Sequence, residues 1–526
     1  MDRKRPHPIN DDDENGGPSK KSTPHTLTHP ISPPSRKRQL PDQPSPNNKG
    51  KGIAAPDEAS SNTQTSPPSS PNPPERLRSP FQLTRIRDLP PELNKDTVTL
   101  PDLLGDPLIS ECWEFNYLHS IPFLLSAFDP DVRPLVKIHI IHGFWKRDDP
   151  RRAALVSDAA PHPNITLHAA YLPSPFGTHH TKMLILFRRD GTAQVVIHTA
   201  NMIPHDWTNM TNAVWASPLL TPGSDPSSPA GPGSPAAFKT TLLAYLSAYP
   251  TTVSRPLTTL LSTFSFAPIR AHLIASVPGR HPHPLNPSIS QTPFGWPALP
   301  PALSTIPTTS PATIAIQVSS IATLGPTPSW LHTVLFPSLA PSDHASVDWR
   351  VVFPTAGEIR ESLEGYVSGG SIHMRTASKQ QGKQLGYLRP MLCRWGGANP
   401  GPGRDAGRAR AAPHVKTYVR YGEAGRVEWA MVTSANLSRQ AWGEGVGKED
   451  GGVRVASYEM GVLVWPGLWG EGRVMEGVFG GDYSEGEGVV PLRMAYGLPL
   501  ERYGEGEEPW VATRGYEEVD WKGGRW

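Results

Sequence analysis

One short pattern occurs twice in this chain and limits what the chain can be more than any other feature. Each copy has a histidine, a lysine two residues later, and then a threonine or serine, an alanine, an asparagine and a tryptophan. The asparagine follows the lysine by 19 residues in the first copy and 20 in the second, and the tryptophan follows the asparagine by six in both. Because matching spacing in two copies rarely arises by chance, the repeat predicts two halves of one active site. The copies are His180, Lys182, Asn201 and Trp207, then His414, Lys416, Asn436 and Trp442.

The residue types of the repeat suit chemistry at a phosphodiester. Two ammonium and two carboxamide groups can bind the non-bridging oxygens and the charge that develops on them. One histidine can attack phosphorus while the other protonates the leaving oxygen, and residue chemistry alone leaves open which does which. Two lysines in buried strands need such a charged partner. Other histidines are more simply explained as core residues, namely His139, His142, His168, His179 and His198.

Each copy of the repeat is predicted to lie on two neighbouring strands. One apolar run begins at His180 and another at His414, and alternation of side chains along a strand puts each histidine and its lysine on the same side. Each asparagine follows a further apolar run, at 194–199 and at 427–433. Pairing these strands would bring histidine, lysine and asparagine together at one edge of a sheet.

The paired motifs resemble the His-x-Lys and Asn motifs of the tyrosyl-DNA phosphodiesterase family, a branch of the phospholipase D superfamily. Most of that superfamily has an aspartate five residues after the lysine, where this chain has Phe187 and Tyr421. The tyrosyl-DNA branch lacks that aspartate. Further stretches similar to this family are 175–182, 319–325, 362–371, 457–463 and 509–510. The resemblance therefore covers the body of the chain from about residue 85 to about residue 515.

The resemblance implies a DNA-repair enzyme that hydrolyses 3′-phosphotyrosyl bonds, as left by a trapped type IB topoisomerase, and removes other 3′ blocking groups. His180 would be the nucleophile and form a covalent phosphohistidine, and His414 would protonate the leaving tyrosine and then activate water. Glu459 would orient the second histidine, and Asn212 stands where the family commonly has a glutamine supporting the first. No metal or cofactor is implied. The phosphate would be bound by Lys182, Lys416, Asn201 and Asn436.

On one side of the site, the resemblance implies a surface for single-stranded DNA. Phe176 could stack on a base, an interaction that tolerates any sequence. On the other side a tyrosine or peptide would bind, with Trp510 as the one candidate contact. The partner would thus be a single-stranded or nicked DNA 3′ end, bound by a monomer with no role for a membrane. The remaining positions that match the family's DNA contacts are Ser319, Ser320, Thr323, Ser371, Lys379 and Ser438.

Two alternatives compete with this interpretation. A phospholipase D-like lipase or nonspecific nuclease would turn over phosphatidylcholine or cut internal phosphodiesters, and the missing aspartate after each lysine speaks against it. A non-catalytic protein that binds DNA ends would show affinity without chemistry, although both motifs are complete. Net charge does not discriminate, because a value of +2 over 526 residues predicts no particular partner.

Composition divides the chain into three parts. Residues 1–82 are rich in proline, serine and charge, which predicts a disordered tail, and their basic clusters favour localisation in the nucleus. Two phospholipase D-like α/β domains are expected at 83–280 and 281–526, each a mixed β-sheet flanked by helices, related by a pseudo-twofold axis. Two cysteines exclude a disulfide framework and favour a reducing compartment. We expect neither a secretory signal nor a membrane span.

Overall fold

A computed structural model describes residues 76–225, 231–282, 292–397, 403–445 and 452–526. The predicted tail therefore lies outside the described residues except for its last seven. Those seven contact the body: Arg78 pairs with Asp482 at 3.1 Å, and residues 82 and 83 form an edge strand. Two segments whose composition predicts loops, the Pro/Ser/Gly-rich 217–234 and the Gly/Ala/Arg-rich 396–413, are described only in part.

The first sheet has seven strands within the described residues. In space they run β1-β7-β6-β5-β2-β3-β4, with β2, β3 and β4 parallel and the other neighbours antiparallel. The strands are β1 (Gln82–Leu83), β2 (Ile109–Phe115), β3 (Lys137–His142), β4 (Ile165–Ala169), β5 (Met183–Arg188), β6 (Ala193–His198) and β7 (Ala213–Ala216).

The second sheet has nine strands among the residues placed, seven of them in the order β14-β12-β10-β15-β16-β19-β8, with β20 and β21 joined beside β16. Its strands are β8 (His272–Ser276), β10 (Thr313–Gln317), β12 (Asp348–Val352), β14 (Leu392–Cys393), β15 (Thr417–Tyr421), β16 (Val427–Thr433), β19 (Glu459–Val464), β20 (Val474–Val478) and β21 (Val489–Arg493). Two small sheets complete the set, formed by β11 (Ser320–Ile321) with β13 (His373–Met374) and by β9 (Gly279–Pro282), β17 (Glu444–Gly445) and β18 (Gly452–Val455).

The two large sheets repeat one topology. Strands β2, β3 and β4 are parallel, as are β10, β12 and β14. In each sheet an antiparallel run follows, β5-β6-β7 in the first and β15-β16-β19 in the second. The predicted fold of two similar mixed α/β units is therefore confirmed. The boundary near residue 280 stays a prediction, and β8 already belongs to the second sheet before that point.

Helices cover the sheets, and most are short. Their bounds are α1 (Leu100–Leu104), α2 (Ile121–Ser126), α3 (Pro150–Ala159), α4 (Pro204–Thr208), α5 (Pro235–Leu246), α6 (Thr251–Ser262), α7 (Leu299–Leu303), α8 (Phe336–Leu339), α9 (Ala356–Arg360), α10 (Lys379–Leu388) and α11 (Arg439–Trp442). Within the described ranges, no helix has the length and apolar character needed to cross a bilayer.

Helix α5 forms as its sequence predicts. The Ser234 hydroxyl accepts a hydrogen bond from the Ala237 amide at 3.1 Å, and Pro235 occupies the first turn, where its missing N–H costs nothing. One face of the helix and the residues after it are buried in the core that both sheets share. The buried side chains are Phe238, Leu242, Tyr245, Leu246 and Tyr249, as expected.

Candidate active site

The His-x-Lys segments do not open the strands, as the sequence suggested, but lie immediately before them. Strand β5 begins at Met183, directly after Lys182, and β15 begins at Thr417, directly after Lys416. The segments are nevertheless extended and held by neighbours on the sheet. The amide of His180 donates to the Tyr458 carbonyl at 2.9 Å.

The residues beside His180 face away from the cleft and anchor the segment to α5 and the residues that follow it. The Thr181 and Tyr245 hydroxyls share a hydrogen bond of 2.6 Å, and Tyr245 shares another of 2.6 Å with Tyr249. His179 lies between the Tyr249 hydroxyl and the Asn116 carbonyl, each 2.8 Å from a ring nitrogen. The prediction that His179 is a core residue facing the other way is confirmed.

In each half of the chain, the residues that lead into one strand lie beside the motif histidine of the other half. His179 bridges Tyr458, and Pro413 bridges Thr211 in the same way. Residues Glu459 and Asn212, which directly follow these bridges, are therefore equivalent in the two halves. The two halves therefore exchange supporting residues. Each supporting residue stands at the start of a strand of its own sheet but lies beside the histidine of the other half.

This exchange corrects two of the expected roles. Glu459 supports the first histidine and not the second: its Oε2 lies 3.0 Å from Nδ1 of His180. Asn212 supports the second and not the first: its Oδ1 lies 3.1 Å from Nδ1 of His414. The hydroxyl residue of each motif fixes the support, since Ser434 donates to Glu459 at 2.5 Å and Thr199 donates to Asn212 at 2.8 Å.

Asp206 is a functional residue that the sequence reasoning missed. Its carboxylate is fully buried, and Oδ2 lies 3.1 Å from Nδ1 of His414. The same oxygen accepts from the Asn201 backbone amide at 2.7 Å and from its side-chain amide at 2.9 Å. Burial raises the pKa of Asp206, while the Asn201 amide and Lys416 oppose the rise. A signal was present, because a carboxylate directly precedes Trp207 in the first copy, where the second copy has Ala441.

Both motif lysines are fully buried. Lys182 donates to the His180 carbonyl at 3.0 Å, and Lys416 donates to the His414 carbonyl. Burial lowers the pKa of Lys182 to about 8 and, together with repulsion from Lys182, lowers the pKa of Lys416 well below its ordinary value. Two ammonium groups so close together would be stabilised by a bound anion, which is what a substrate phosphate supplies.

Both histidines have pKa values below the ordinary range. Burial is the main cause, and the motif lysines add repulsion: Lys182 for His180, and chiefly Lys416 for His414. Because Nδ1 of each ring faces its supporting residue, Nε2 is the nitrogen left for a substrate. A neutral ring with a proton on Nδ1 presents a lone pair at Nε2, as a nucleophile or general base requires.

The two asparagines use different atoms in hydrogen bonds. The side-chain amide of Asn201 donates to Asp206, whereas Asn436 accepts at Oδ1. Oδ1 of Asn436 accepts from the Ser319 amide at 3.1 Å and the Ser320 amide at 2.9 Å, so its side-chain amide remains as a donor. The indole of Trp207 donates to the Asn201 carbonyl at 3.0 Å. In the second copy the Trp442 indole instead donates to the Tyr418 hydroxyl at 3.0 Å.

A cleft of about 480 Å³ opens onto both histidines, both asparagines and Glu459. Of the predicted DNA contacts, Phe176, Ser319, Ser320, Ser371 and Ser438 line it. Four further lining residues fall within the family-like stretches of the sequence but had no assigned role: Thr178, Ala322, Gly370 and Ser457. The remaining lining residues lie outside those stretches and carry no local pattern: Tyr117, Leu118, His373 and Gln440.

Two predicted contacts and one peptide-side candidate lie elsewhere. Thr323 lines a neighbouring depression, which Phe176 and Gln440 share with the main cleft. Lys379 is the exposed first residue of α10 and lines neither. Trp510 cannot touch a peptide as it stands, because its side chain is fully buried between Tyr366 and Tyr516 and its indole donates to the Gly369 carbonyl at 3.0 Å.

In the part of the chain that the structure describes, no group of three or more histidine, cysteine or carboxylate side chains could hold a metal ion. Both cysteines, Cys112 and Cys393, are buried and unpaired. The motif lysines are fully buried, and each donates to the carbonyl of a histidine that lines the cleft.

Fold and site together define a class: a phosphodiesterase whose two similar α/β halves each contribute a histidine, a lysine and an asparagine to one cleft. A family model described as tyrosyl-DNA phosphodiesterase matches residues 80–504, and the chain belongs to that family.

Relatives and solved structures agree with this assignment. The chain is similar to the probable tyrosyl-DNA phosphodiesterase of Schizosaccharomyces pombe, at 28% identity over 86% of this chain and 96% of that protein. It is also similar to the probable tyrosyl-DNA phosphodiesterase of Caenorhabditis elegans, at 29% identity over 83% and 89%. Its fold resembles the crystal structure of the yeast tyrosyl-DNA phosphodiesterase, with a TM-score of 0.62 and 22% identity over 82% and 99% of the two chains.

Proposed function

We propose that this enzyme hydrolyses the bond between a DNA 3′ phosphate and a tyrosine, and removes other 3′ blocking groups, as part of DNA repair. The observation that carries the proposal is the pair of imidazoles in one cleft, each held at Nδ1 by the opposite half of the chain. Family membership supports the substrate class, because the related proteins carry the name of this activity.

In the first step, Nε2 of His180 attacks phosphorus and the bond to the tyrosyl oxygen breaks. His414 donates a proton to that oxygen, so tyrosine leaves as a neutral phenol. The product is a covalent phosphohistidine on the DNA 3′ end. Its ring carries positive charge, which the Glu459 carboxylate at 3.0 Å stabilises. The family resemblance places the nucleophile in the first half, and the Glu459 carboxylate beside His180 suits that assignment.

In the second step, His414 takes a proton from water and the resulting hydroxide attacks phosphorus. The bond from phosphorus to His180 breaks, and DNA leaves with a 3′ phosphate. His414 must therefore be protonated in the first step and neutral in the second. A bound phosphate would offset the repulsion from Lys416 and Lys182 and so raise the pKa of His414, and Asp206 at 3.1 Å would stabilise its protonated form.

The substrate strand would enter as single-stranded or nicked DNA, with Phe176 stacked on a base. That side chain is 77% exposed at the rim of the cleft, which suits a stacking platform. The hydroxyls of Ser319, Ser320, Ser371 and Ser438, which line the cleft, would contact the phosphates. We further propose that the protein acts as a monomer. We also propose that it acts in the nucleus, because residues 1–82 contain basic clusters.

The test is a denaturing gel of a single-stranded oligonucleotide with a 3′-phosphotyrosine, incubated with the protein in EDTA. We expect conversion to the 3′-phosphate product, because the lysines supply the positive charge that a metal would bring. Loss of activity in EDTA that returns with Mg²⁺ would contradict the metal-independent mechanism.

The alternatives have separate signatures in the same assay series. A lipase would release choline from phosphatidylcholine vesicles, and a nonspecific nuclease would cut internal phosphodiesters as fast as the tyrosyl end. A binding-only protein would shift the oligonucleotide on a native gel without cleaving it, and His180→Ala would not alter its behaviour. Choline release or DNA binding without tyrosyl release, or internal cutting as fast as tyrosyl release, would overturn the proposal.

A further inference from the structure

A buried carboxylate that the two-step reaction does not use lies on the sheet beneath Lys182. Glu114 is on β2, and the pairing of β2 with β5 places it opposite Leu184. Lys182 precedes Leu184 by two residues, so the three side chains share one face of the sheet. Diagonal neighbours of this kind lie about 7–8 Å apart, within reach of long side chains. Glu114 is fully buried.

The contacts of Glu114 leave part of its charge uncompensated. Oε2 lies 2.8 Å from Nδ1 of His119, whose side chain is also buried. Oε1 of Glu114 and Nε2 of His119 have no hydrogen-bond partner among the described residues. Burying a carboxylate is costly unless a positive charge lies nearby. Lys182, on the same face, supplies that charge.

The second half of the chain has no such carboxylate, which makes the two lysines unequal. The position equivalent to Glu114 is Ile316, opposite Tyr418, which follows Lys416 by two residues. Glu459 and Asp206 act on both lysines, whereas Glu114 acts on Lys182. Burial lowers the pKa of Lys182 to about 8, with Glu114 opposing the fall; burial and repulsion from Lys182 lower the pKa of Lys416, where Ile316 offers no such opposition.

We infer that Glu114 is a positioning residue that keeps the Lys182 ammonium charged in the empty site, so that the first half-site receives the substrate phosphate as a fixed cation. Lys416, without such a partner, gains its charge when the phosphate binds. The inference rests on the proposed function and adds a division of labour between the two lysines.

His119 also gives Glu114 a structural role that a test must separate from this one. The segment that carries His119 bridges Met202, next to Asn201, and the preceding Tyr117 and Leu118 line the cleft. Loss of that support would deform the cleft at every pH, whereas loss of charge on Lys182 acts only where that amine titrates. The charged and titratable groups around Lys182 and Glu114 are His119, His142, His179, His180, His198, Asp206, His414, Lys416, Glu459 and Cys112.

The test is the pH dependence of kcat/KM for the 3′-phosphotyrosyl oligonucleotide in Glu114→Gln, since kcat/KM reports the free enzyme. Glu114 raises the pKa of Lys182, so its removal lowers that pKa. We expect the ratio of kcat/KM in Glu114→Gln to kcat/KM in wild type to fall as the pH rises above about 7, because Lys182 then loses its charge earlier in the variant, while the titration of His414 cancels in the ratio. Glu114→Asp keeps a carboxylate at this position, so its pH profile should lie close to that of the wild type. The matched control is Glu111→Gln, on the other face of the same strand, which should give a ratio that does not change with pH.

A uniform loss of kcat/KM at every pH, with the ratio to wild type constant, would overturn the inference and leave Glu114 a structural residue. A second measurement does not need catalysis: calorimetric binding of inorganic phosphate to the full chain. We expect wild type and Glu114→Gln to bind alike at pH 6 and the variant to bind about tenfold more weakly at pH 8.5. Equal affinities at pH 8.5 would contradict the inference.

These two readouts separate this inference from the proposed function. If the wild type binds phosphate but releases no tyrosine, the proposed function fails and the phosphate data still decide the role of Glu114. If Glu114→Gln does not fold, Glu114→Ile copies the side chain that the second half carries at the equivalent position, and both measurements apply to it with the same expected directions.

Discussion

Asn212 and Glu459 occupy equivalent positions in the two halves but differ in charge. His180 consequently faces a full carboxylate, while His414 faces a carboxamide and receives its negative neighbour from Asp206. This difference suits different tasks. A phosphohistidine needs a permanent counter-charge, whereas a proton shuttle needs a pKa that can move with the charge of the bound substrate.

The covalent intermediate gives the first prediction at this scale. His414→Ala should slow release of DNA more than attack, because the general base for water is lost while the nucleophile remains. A covalent protein–DNA adduct should then accumulate on a denaturing protein gel with a labelled oligonucleotide. His180→Ala should give no adduct. The reverse pattern would exchange the roles of the two histidines.

The second prediction at the residue scale concerns Asp206. Asp206→Asn keeps the shape of the side chain but removes the carboxylate beside His414, so the protonated ring is less stable. We expect kcat/KM to fall about 10²-fold, with the optimum displaced to lower pH. The control is Asp225→Asn. This change breaks the ion pair between Asp225 and Lys239, whose charged atoms are 2.9 Å apart, and neither residue lines the cleft. An equal loss in both variants would show that Asp206 acts only through stability.

At the scale of elements, the two supporting residues stand where strands begin: Asn212 directly precedes β7, and Glu459 is the first residue of β19. Strand β19 lies so close to β16 that Gly461 has no room for a side chain: a Cβ there would meet Thr433 Cβ at 2.5 Å and the Val432 carbonyl at 2.7 Å. The close approach fixes Glu459, two residues earlier, against His180.

Gly461→Ala should therefore destabilise the protein by about 2 kcal/mol, as overpacking in a core does, and should lower activity by displacing Glu459. Thermal unfolding and kcat measure the two effects. The matched control is Gly382→Ala in α10, where a Cβ meets nothing within 4 Å. That change should stabilise by about 0.5–1 kcal/mol without altering kcat. A neutral Gly461→Ala would mean that β19 can move.

At the scale of the whole molecule, neutral histidines are buried in the core that supports the site. Burial lowers the pKa values of His142, His179 and His198 to about 3. In the unfolded chain these rings titrate near pH ~6.5, so stability is present above that pH and is lost as the pH falls towards 3. Asp482 acts oppositely, because burial raises its pKa to about 6 and its contribution grows on acidification.

Burial also lowers the pKa values of His139, His168 and His272 to about 4 and raises those of Asp206 and Glu358. Because the buried neutral histidines outnumber the buried carboxyls with raised pKa values, the protein should be acid-labile. We expect the Tm to fall by on the order of 10 °C between pH 7 and pH 5, measured by thermal unfolding at constant ionic strength. His198→Phe keeps the ring against Trp207, at 5.6 Å between centroids, and should reduce the slope. His332→Gln, on an exposed residue, should not. A flat Tm over this range would contradict the prediction.

The sequence by itself determined the repeat, the chemistry of its residues and the strands that carry them, since alternation and spacing are local properties. His180 and Asn201 therefore line one cleft with their counterparts, as the repeat predicts, although each His-x-Lys segment lies just before its strand and not within it. The supports were decided by the tertiary structure. Glu459 reaches His180 across 279 residues and Asn212 reaches His414 across 202. The two halves exchange these contacts, and no local pattern records which half a strand start will face. The roles of Asp206 and Glu114 were likewise decided by the tertiary structure, because a buried carboxylate acquires its role from the charges that folding brings beside it.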